Sequence, residues 1–396
     1  MSQKMINQRT RTTDRSFPRI SLFLDNLEEG GVQRGVVNLA RGFLDRGLKV
    51  DIVLQRSEGP FIQQVPDGVR IIDLKNPRLR ASVSTLANYL RQEQPHTLFA
   101  SLHYSTEIAI LAKRLAKSST KIVVREHGSL APLQRVRPPL RKPLTFLGLT
   151  PGRPISLVRY FYPWADGIVA VSKGAAKDLA RIANLPLERV QVIYNPVITP
   201  EFEAKAKEPI EHSWFTNKDV PVILSVGRLV DQKDFPTLIR AFAQVVTIRP
   251  ARLVILGSGP DRPHIEALIN QLGLAEKVTL LGHVQNPYKY MAHASIFVLS
   301  SIWEGLGNVL IEAMAAGVPV VSTDCESGPA EILADGTYGW LTPVGDRDAI
   351  ANAILAILSG QVKPVDPLWL DQFKLETVTS QYLDASGILL SGAEKS

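Results

Sequence analysis

The feature that most constrains this chain is an alternation. Short runs of apolar, β-branched residues recur between longer stretches of helical periodicity, in both halves. In the first half the runs are Arg19–Leu24, Val50–Leu54, Thr97–Ser101, Lys121–Arg125, Gly167–Val171 and Val190–Tyr194. In the second they are Val220–Val226, Arg252–Gly257, Lys277–Gly282, Ile296–Ser300 and Val318–Ser322. A strand that is apolar along its length must be covered on both faces, and intervening helices supply that cover. The pattern therefore predicts parallel sheets flanked by helices. A chain of 396 residues is too long for one ordinary core and suits two domains. The expected fold class is α/β, with two doubly wound, Rossmann-like domains facing a central cleft.

The boundaries follow from breaks in the pattern. Residues 1–17 read as a flexible basic tail, and 18–195 as the first domain. The polar, mixed-charge stretch 196–219, opened by Pro196 and Pro200, reads as a linker. Residues 220–366 form the second domain. Residues 367–396 carry an amphipathic helix near Trp369–Leu390 that can return to the first domain.

Charge is divided unevenly between these halves. The net charge is +7, but residues 1–200 carry 30 Lys+Arg against 15 Asp+Glu, whereas residues 201–396 carry 15 against 23. A first half at +15 suits an anionic partner: nucleic acid, a membrane surface or a phosphorylated substrate. Cys325 is the only cysteine, which excludes a disulfide scaffold and suits a reducing compartment. No apolar leader is visible at the start, and Gly305–Val321, the best candidate span, is broken by Glu312 and glycines. The expected location is cytoplasmic, with the inner face of the cell membrane open to it.

Ligands of doubly wound sheets bind beyond the carboxyl ends of the strands. The residues just after each run are therefore the candidates. After Ile296–Ser300 comes Glu304, then Gly305 and Gly307 in a loop, then a helix over Val309–Ala316 that carries Glu312. A helix start offers free N–H groups to a phosphate, and a carboxylate accepts from two adjacent hydroxyls, as a ribose or pyranose presents them. After the first run of the second half come Gly227, Arg228 and Lys233, two positive charges suited to a diphosphate; taken alone, a solvated loop accounts for them as well. Gly257 and Gly259 form only a short glycine turn. In the first half, Gly30 and Gly31 precede a helix, and His127 and Gly128 end a strand.

Taken together, Gly30–Gly31, His127–Gly128, Ala165–Asp166 to Ser172, Asn195–Pro196, Gly227–Arg228 with Lys233, and Glu304 with Glu312 resemble the retaining GT-B glycosyltransferases of family 4. The resemblance spans nearly the whole chain after the tail. It implies transfer of a sugar from a nucleoside diphosphate to an acceptor hydroxyl, in surface polysaccharide or glycolipid synthesis. His127 and Glu304 would act on the donor sugar. Gly31, Gly227, Arg228, Lys233, Val284, Asn308, Val309, Leu310 and Glu312 would bind the nucleotide-sugar, with Arg228, Lys233 and the amides near Asn308, Val309 and Leu310 on the diphosphate and Glu312 on the ribose. Gln33 stands where many relatives carry Glu, so no role passes to its side chain. The segment from Ser327 to Glu331 resembles a stretch near the nucleotide, and a structural turn accounts for it as well.

No cofactor is expected, the nucleotide-sugar being a co-substrate. No metal is expected either: Asp346 and Asp348 read as a helix start, and the histidines lack ligand spacing. The expected partners are the nucleotide-sugar and a lipid-linked or polysaccharide acceptor, with no nucleic acid. Between Glu126 and Asp166 there is no acidic residue, and Arg135, Arg137, Arg141, Lys142, Arg153 and Arg159 interleave with Phe146, Tyr160, Phe161 and Trp164. That composition suits contact with an anionic membrane, and equally an insertion packed on the first domain. Three rival readings share part of this pattern. A nicotinamide oxidoreductase lacks its glycine fingerprint. A nucleotide-sugar epimerase or hydrolase shares the fold. A non-catalytic nucleic-acid binder would leave the cleft motifs without purpose.

Overall fold

The computed structural model describes residues 18–28, 30–75, 79–128, 155–217 and 219–388. The tail at 1–17 and most of the basic, apolar stretch lie outside the described residues.

Two sheets form among these residues, and every pair of neighbouring strands is parallel. The first holds β1 (Arg19–Leu24), β2 (Lys49–Leu54), β3 (Arg70–Asp73), β4 (Thr97–Ser101), β5 (Lys121–Glu126), β6 (Gly167–Ala170) and β7 (Gln191–Val192), in the order β3-β2-β1-β4-β5-β6-β7. The second holds β8 (Val222–Val226), β9 (Arg252–Leu256), β10 (Val278–Gly282), β11 (Ile296–Leu299), β12 (Val320–Thr323) and β13 (Trp340–Thr342), in the order β10-β9-β8-β11-β12-β13. The central strands are buried along nearly their whole length, as continuous apolar runs require. In register, Ile20 faces both Val50 and Thr97, and Ile223 faces both Leu253 and Ile296.

In each sheet the strand order reverses beside the first strand, between β1 and β4 and between β8 and β11. A reversal sends the connecting helices to opposite faces and opens a crevice at the carboxyl ends. Each sheet is accordingly sandwiched by two apolar cores. On one face of the first sheet, Phe43 stacks on Phe99 with ring centroids 5.7 Å apart, and Tyr382 meets Phe99 edge-on at 5.4 Å.

That tyrosine belongs to the end of the chain. The segment expected as one helix near Trp369–Leu390 is two: a 3-10 helix over Pro367–Phe373 and an α-helix over Leu375–Ser386, separated by extended Lys374. The break lets the chain cross from one domain to the other. There it runs beside the outgoing crossing: Ile198 and Lys374 form a parallel bridge, the amides of Val197 and Ile198 both donate to Phe373 O at 3.1 Å, and the amide of Leu375 donates to Ile198 O at 2.9 Å. The last helix then buries Val378, Tyr382 and Leu383 in the first domain's core.

The stretch expected as a linker, 196–219, is not a loose connection. It carries short helices at Phe202–Ala206 and Ser213–Thr216. Phe202 packs on Tyr288 at 4.6 Å, and Ile210 and Phe215 enter the second domain's core. Three apolar side chains in a polar stretch suffice to fix it.

Candidate functional site

A cleft of about 590 Å³ lies between the two sets of strand ends. His127, Glu304, Gly31, Gly227, Arg228, Lys233, Val284, Asn308, Val309 and Glu312 all line it. Leu310 does not. Its side chain is fully buried in the second domain's core, and its amide donates to Gly307 O at 2.9 Å. The open end of the helix Asn308–Ala315 is thus left to the amides of Asn308 and Val309.

The second domain's wall is built from two loops that brace each other. After β8 the chain turns through a 3-10 helix at Asp231–Lys233 into Asp234, which adopts the left-handed conformation (φ 44°) and caps the next helix by accepting from Thr237 N at 3.3 Å. This turn lays the methylenes of Lys233 over Gly227, where a Cβ would stand 3.1–3.3 Å from them. Ser300 Oγ donates to Lys233 O at 2.7 Å, and Gln232 Nε2 donates to Trp303 O at 2.8 Å. Lys233 Nζ donates to Glu304 Oε1, which also accepts from Ser301 Oγ at 2.7 Å. Both charged ends are largely buried, 14% and 9% exposed. A charge pair so braced is held in one geometry before any ligand arrives. Arg228 stays exposed at the rim. Gly257 (φ 140°) lies under the same loop, and a Cβ there would stand 1.9 Å from Gly227 O.

The first domain presents a second helix start. The helix Gly31–Leu44 begins at Gly30 without a side-chain cap and with no acid in its first turn. The helix Asn308–Ala315 likewise begins at Gly307 without a side-chain cap. The two starts meet: a Cβ at Gly31 would stand 3.0 Å from Asn308 Nδ2, and Asn195 Nδ2 donates to Asn308 Oδ1 at 3.0 Å. Two helix N-termini with Lys233 and Arg228 make a strongly anion-attracting region.

His127 ends β5. Its amide donates to Glu126 Oε1 at 3.2 Å, and both ring nitrogens are buried without a protein partner. Burial first, and the Arg125 charge second, push its pKa well below 6.5, so the ring is neutral at physiological pH. Its carbonyl touches the other domain: a Cβ at Gly305 would stand 2.0 Å from His127 O, so only glycine lets the domains approach this closely. Ser172 Oγ donates to Gly305 O at 2.8 Å along the same seam.

Glu331 also lies on that seam. Its two oxygens accept from Lys173 N at 3.0 and 2.9 Å, and Oε1 accepts from Tyr194 OH at 2.7 Å. It caps a first-domain helix rather than lining the cleft. Cys325 is buried, and burial together with Glu304 pushes its thiol up to about 12, so it stays protonated. Among the described residues no three His, Cys, Asp or Glu groups gather as metal ligands, and no helix is long and apolar enough to cross a membrane.

Sequence reasoning gave no role to Arg34, Gln232 or Tyr288. Arg34 Nη1 donates to Glu312 Oε1 at 3.0 Å and to Tyr288 OH at 3.3 Å, across the two domains. The only available signal was its place in the first turn after the glycine pair.

Comparison with known proteins agrees along the chain. Residues 29–200 match the family described as Glycosyltransferase Family 4, and residues 206–367 match Glycosyl transferases group 1. The chain is 31% identical over 353 residues to the Campylobacter jejuni N-acetylgalactosamine-N,N'-diacetylbacillosaminyl-diphospho-undecaprenol 4-alpha-N-acetylgalactosaminyltransferase, covering 86% of this chain and 90% of that one. It is 28% identical over 370 residues to the Rhizobium meliloti lipopolysaccharide core biosynthesis glycosyltransferase LpsE, covering 90% and 95%. Among solved structures, Anabaena HepE in complex with UDP superposes with a TM-score of 0.74 at 20% identity, covering 94% of this chain and all of that one. The lipopolysaccharide outer core galactosyltransferase WaaB superposes with a TM-score of 0.69 at 20% identity, covering 93% and 98%.

Proposed function

The chain belongs to glycosyltransferase family 4 and has the GT-B fold, and on that premise we propose that it moves a sugar from a nucleoside diphosphate to an acceptor hydroxyl with retention at the anomeric carbon. The observation that carries this reading is the braced Lys233–Glu304 pair beside two facing, uncapped helix starts. As the bond from sugar to diphosphate breaks, positive charge develops on the sugar and negative charge on the leaving phosphate. Lys233, Arg228 and the amides of Gly31, Asn308 and Val309 stabilise the latter without rearrangement. The protein's own charges thus take the part a metal plays elsewhere, and the reaction is metal-independent.

Glu304 accepts hydrogen bonds from the sugar's hydroxyls, and the neutral His127 ring bonds to the sugar from the opposite wall. Glu312 takes the ribose. The departing phosphate accepts the acceptor's proton on the face it leaves, which gives retention without a protein nucleophile. A covalent sugar adduct on the protein would overturn this route.

The relatives named for undecaprenol-linked and lipopolysaccharide substrates favour a lipid-linked or polysaccharide acceptor. A surface of the first domain supports contact with an anionic membrane. Trp164 is 47% exposed and Tyr160 65%, Leu111 and Leu115 lie exposed with them, and the Arg114 guanidinium sits 3.4 Å over the Trp164 ring. Such a surface suits a membrane interface. Flotation with phosphatidylglycerol vesicles tests it: wild type rises with the vesicles, and Trp164→Ala with Tyr160→Ala does not. The transfer reading is tested by thermal shift with UDP, GDP and ADP. One of them raises the melting temperature of wild type and not of Glu312→Ala; no shift with any of the three would remove the reading's main support.

A further inference from the structure

Arg34 is the one first-domain cation that the structure places on the second domain's nucleotide wall among the described ion pairs. It projects from the helix Gly31–Leu44, three residues (about 4.5 Å of rise) behind the glycine that meets Asn308. The same helix therefore reaches the second domain twice, with its N-terminus at the phosphate region and with Arg34 at Glu312. The Arg34 guanidinium is held between two aromatic rings, Phe61 of the first domain at 5.7 Å and Tyr288 of the second at 6.0 Å. Burial is the largest single influence and lowers its pKa, but the charges and hydrogen bonds of Glu312 and Tyr288 together outweigh it, so the guanidinium is held more firmly protonated than usual.

Glu312 gains a fixed orientation from this contact. Its carboxylate is 3% exposed. Oε1 accepts from Arg34 at 3.0 Å, and Oε2 is buried without a protein partner. An ionised carboxylate has about four acceptor positions, and Arg34 uses one. The others are what a vicinal diol needs. Tyr288 is the other side chain that engages Glu312, and its OH is itself bonded by Arg34 at 3.3 Å, so Arg34 governs both contacts.

We propose that Arg34 is a positioning residue for nucleotide recognition: reaching across from the first domain, it orients Glu312 to receive the ribose 2′- and 3′-hydroxyls, so that the diol is read only when the domains are closed. This rests on the assignment of Glu312 to the ribose. It differs from a general attraction of Arg34 for phosphate in one respect. Attraction would strengthen ribo- and deoxyribonucleotides alike, whereas orientation of Glu312 strengthens only the ribo form.

The test is calorimetric titration of UDP, GDP and ADP, and of the 2′-deoxy form of whichever binds tightest, into wild type, Arg34→Ala, Arg34→Lys and Glu312→Gln. Wild type is expected to prefer the ribo form by about 10–100-fold, the worth of a hydrogen bond to a charged group. Glu312→Gln and Arg34→Ala both bring that ratio close to one, and Arg34→Lys, which keeps the charge and loses the planar fork, falls between. An Arg34→Ala protein that keeps the wild-type ratio while Glu312→Gln loses it would overturn the proposal and leave the cleft's function standing. So would an Arg34→Ala protein that weakens both forms equally. If Arg34→Ala does not fold, Arg34→Lys alone decides, since an unchanged ratio there refutes the need for the fork. Failure of all three nucleotides to bind wild type would sink the ribose assignment itself, and the role of Arg34 with it.

Discussion

On the second domain's side of the cleft the polar groups around Lys233 are tied down. Lys233 is paired with Glu304, Glu304 also holds Ser301, and Gln232 and Ser300 brace the backbone beneath them. On the first domain's side, at and behind the ends of β4 and β5, they are not. His127 has no protein partner on either ring nitrogen, Glu107 none on either oxygen, and Arg125, fully buried, has one free end at Nη2. The difference separates two tasks. A nucleoside diphosphate presents the same phosphates every time, so charges fixed in advance serve it without reorganisation. On the proposed transfer, the first-domain wall, which His127 lines, would meet the sugar and keep bonding capacity in hand, at the cost of buried groups left unsatisfied.

The contrast is broken most severely from the fixed side. Lys233→Ala removes the buried cation that the proposed transfer sets against the leaving phosphate, and takes from Glu304 one of its two side-chain partners. Transfer should fall by about 10²–10³-fold in kcat, as when one preorganised donor is lost, measured with saturating donor. Intact turnover in this variant would show that the braced pair is structural.

The unsatisfied side is expected to reveal itself in stability. Burial raises the Glu107 carboxyl to about 7, and Glu126 also to about 7, burial again leading. The folded protein then retains protons that an unfolded chain releases near 4.5. The stabilisation is complete below about 4.5 and is lost as pH rises through about 7. Glu107→Gln removes one such titration, and should stabilise the protein by about 1–3 kcal/mol at pH 8 and by under about 1 kcal/mol at pH 5, read from urea unfolding at both pH values. A smaller effect belongs to His127. Because its ring is neutral, His127→Ala should cost about tenfold in transfer, the worth of one hydrogen bond, with the same ratio to wild type from pH 6 to pH 8. A histidine limb in the wild-type profile that vanishes in the variant would contradict the burial argument.

How legible these differences were in the sequence depended on distance along the chain. Central strands announced themselves because both faces are buried. The edge strands β3 and β13 did not, since Arg70 and Asp73 are exposed and Trp340 and Leu341 only half-buried, leaving no continuous apolar run. Glu304 and Lys233 were readable from loops after strands, a rule of the fold. The Arg34–Glu312 bond spans 278 residues and joins two domains, so no local spacing encodes it. Leu310 was misassigned for a local reason: one residue farther along the helix, the amide is already bonded and the side chain faces the core. The final helix looked continuous because its apolar spacing persists, although extended Lys374 divides it.

Glu331 tests the seam on which the comparison depends. It belongs to the second domain, yet both oxygens accept from Lys173 N, at the start of a first-domain helix, Lys173–Ala183, whose first turn has no acid of its own. A carboxylate there is worth about 0.3–1 kcal/mol when exposed, because the helix's partial positive end is screened by water. That is too little to hold a fold and enough to shift a closing equilibrium by about two- to fivefold. Glu331→Ala should therefore leave the melting temperature nearly unchanged and raise the radius of gyration in solution scattering, with nucleotide present, toward a more open form. Raised salt should do the same to wild type and little to the variant, since the interaction lost is a screened one. An equal rise in both proteins would place the salt-sensitive contact elsewhere, at the charged Arg34–Glu312 pair, and no response in either would leave closure to the uncharged contact of Ser172 with Gly305.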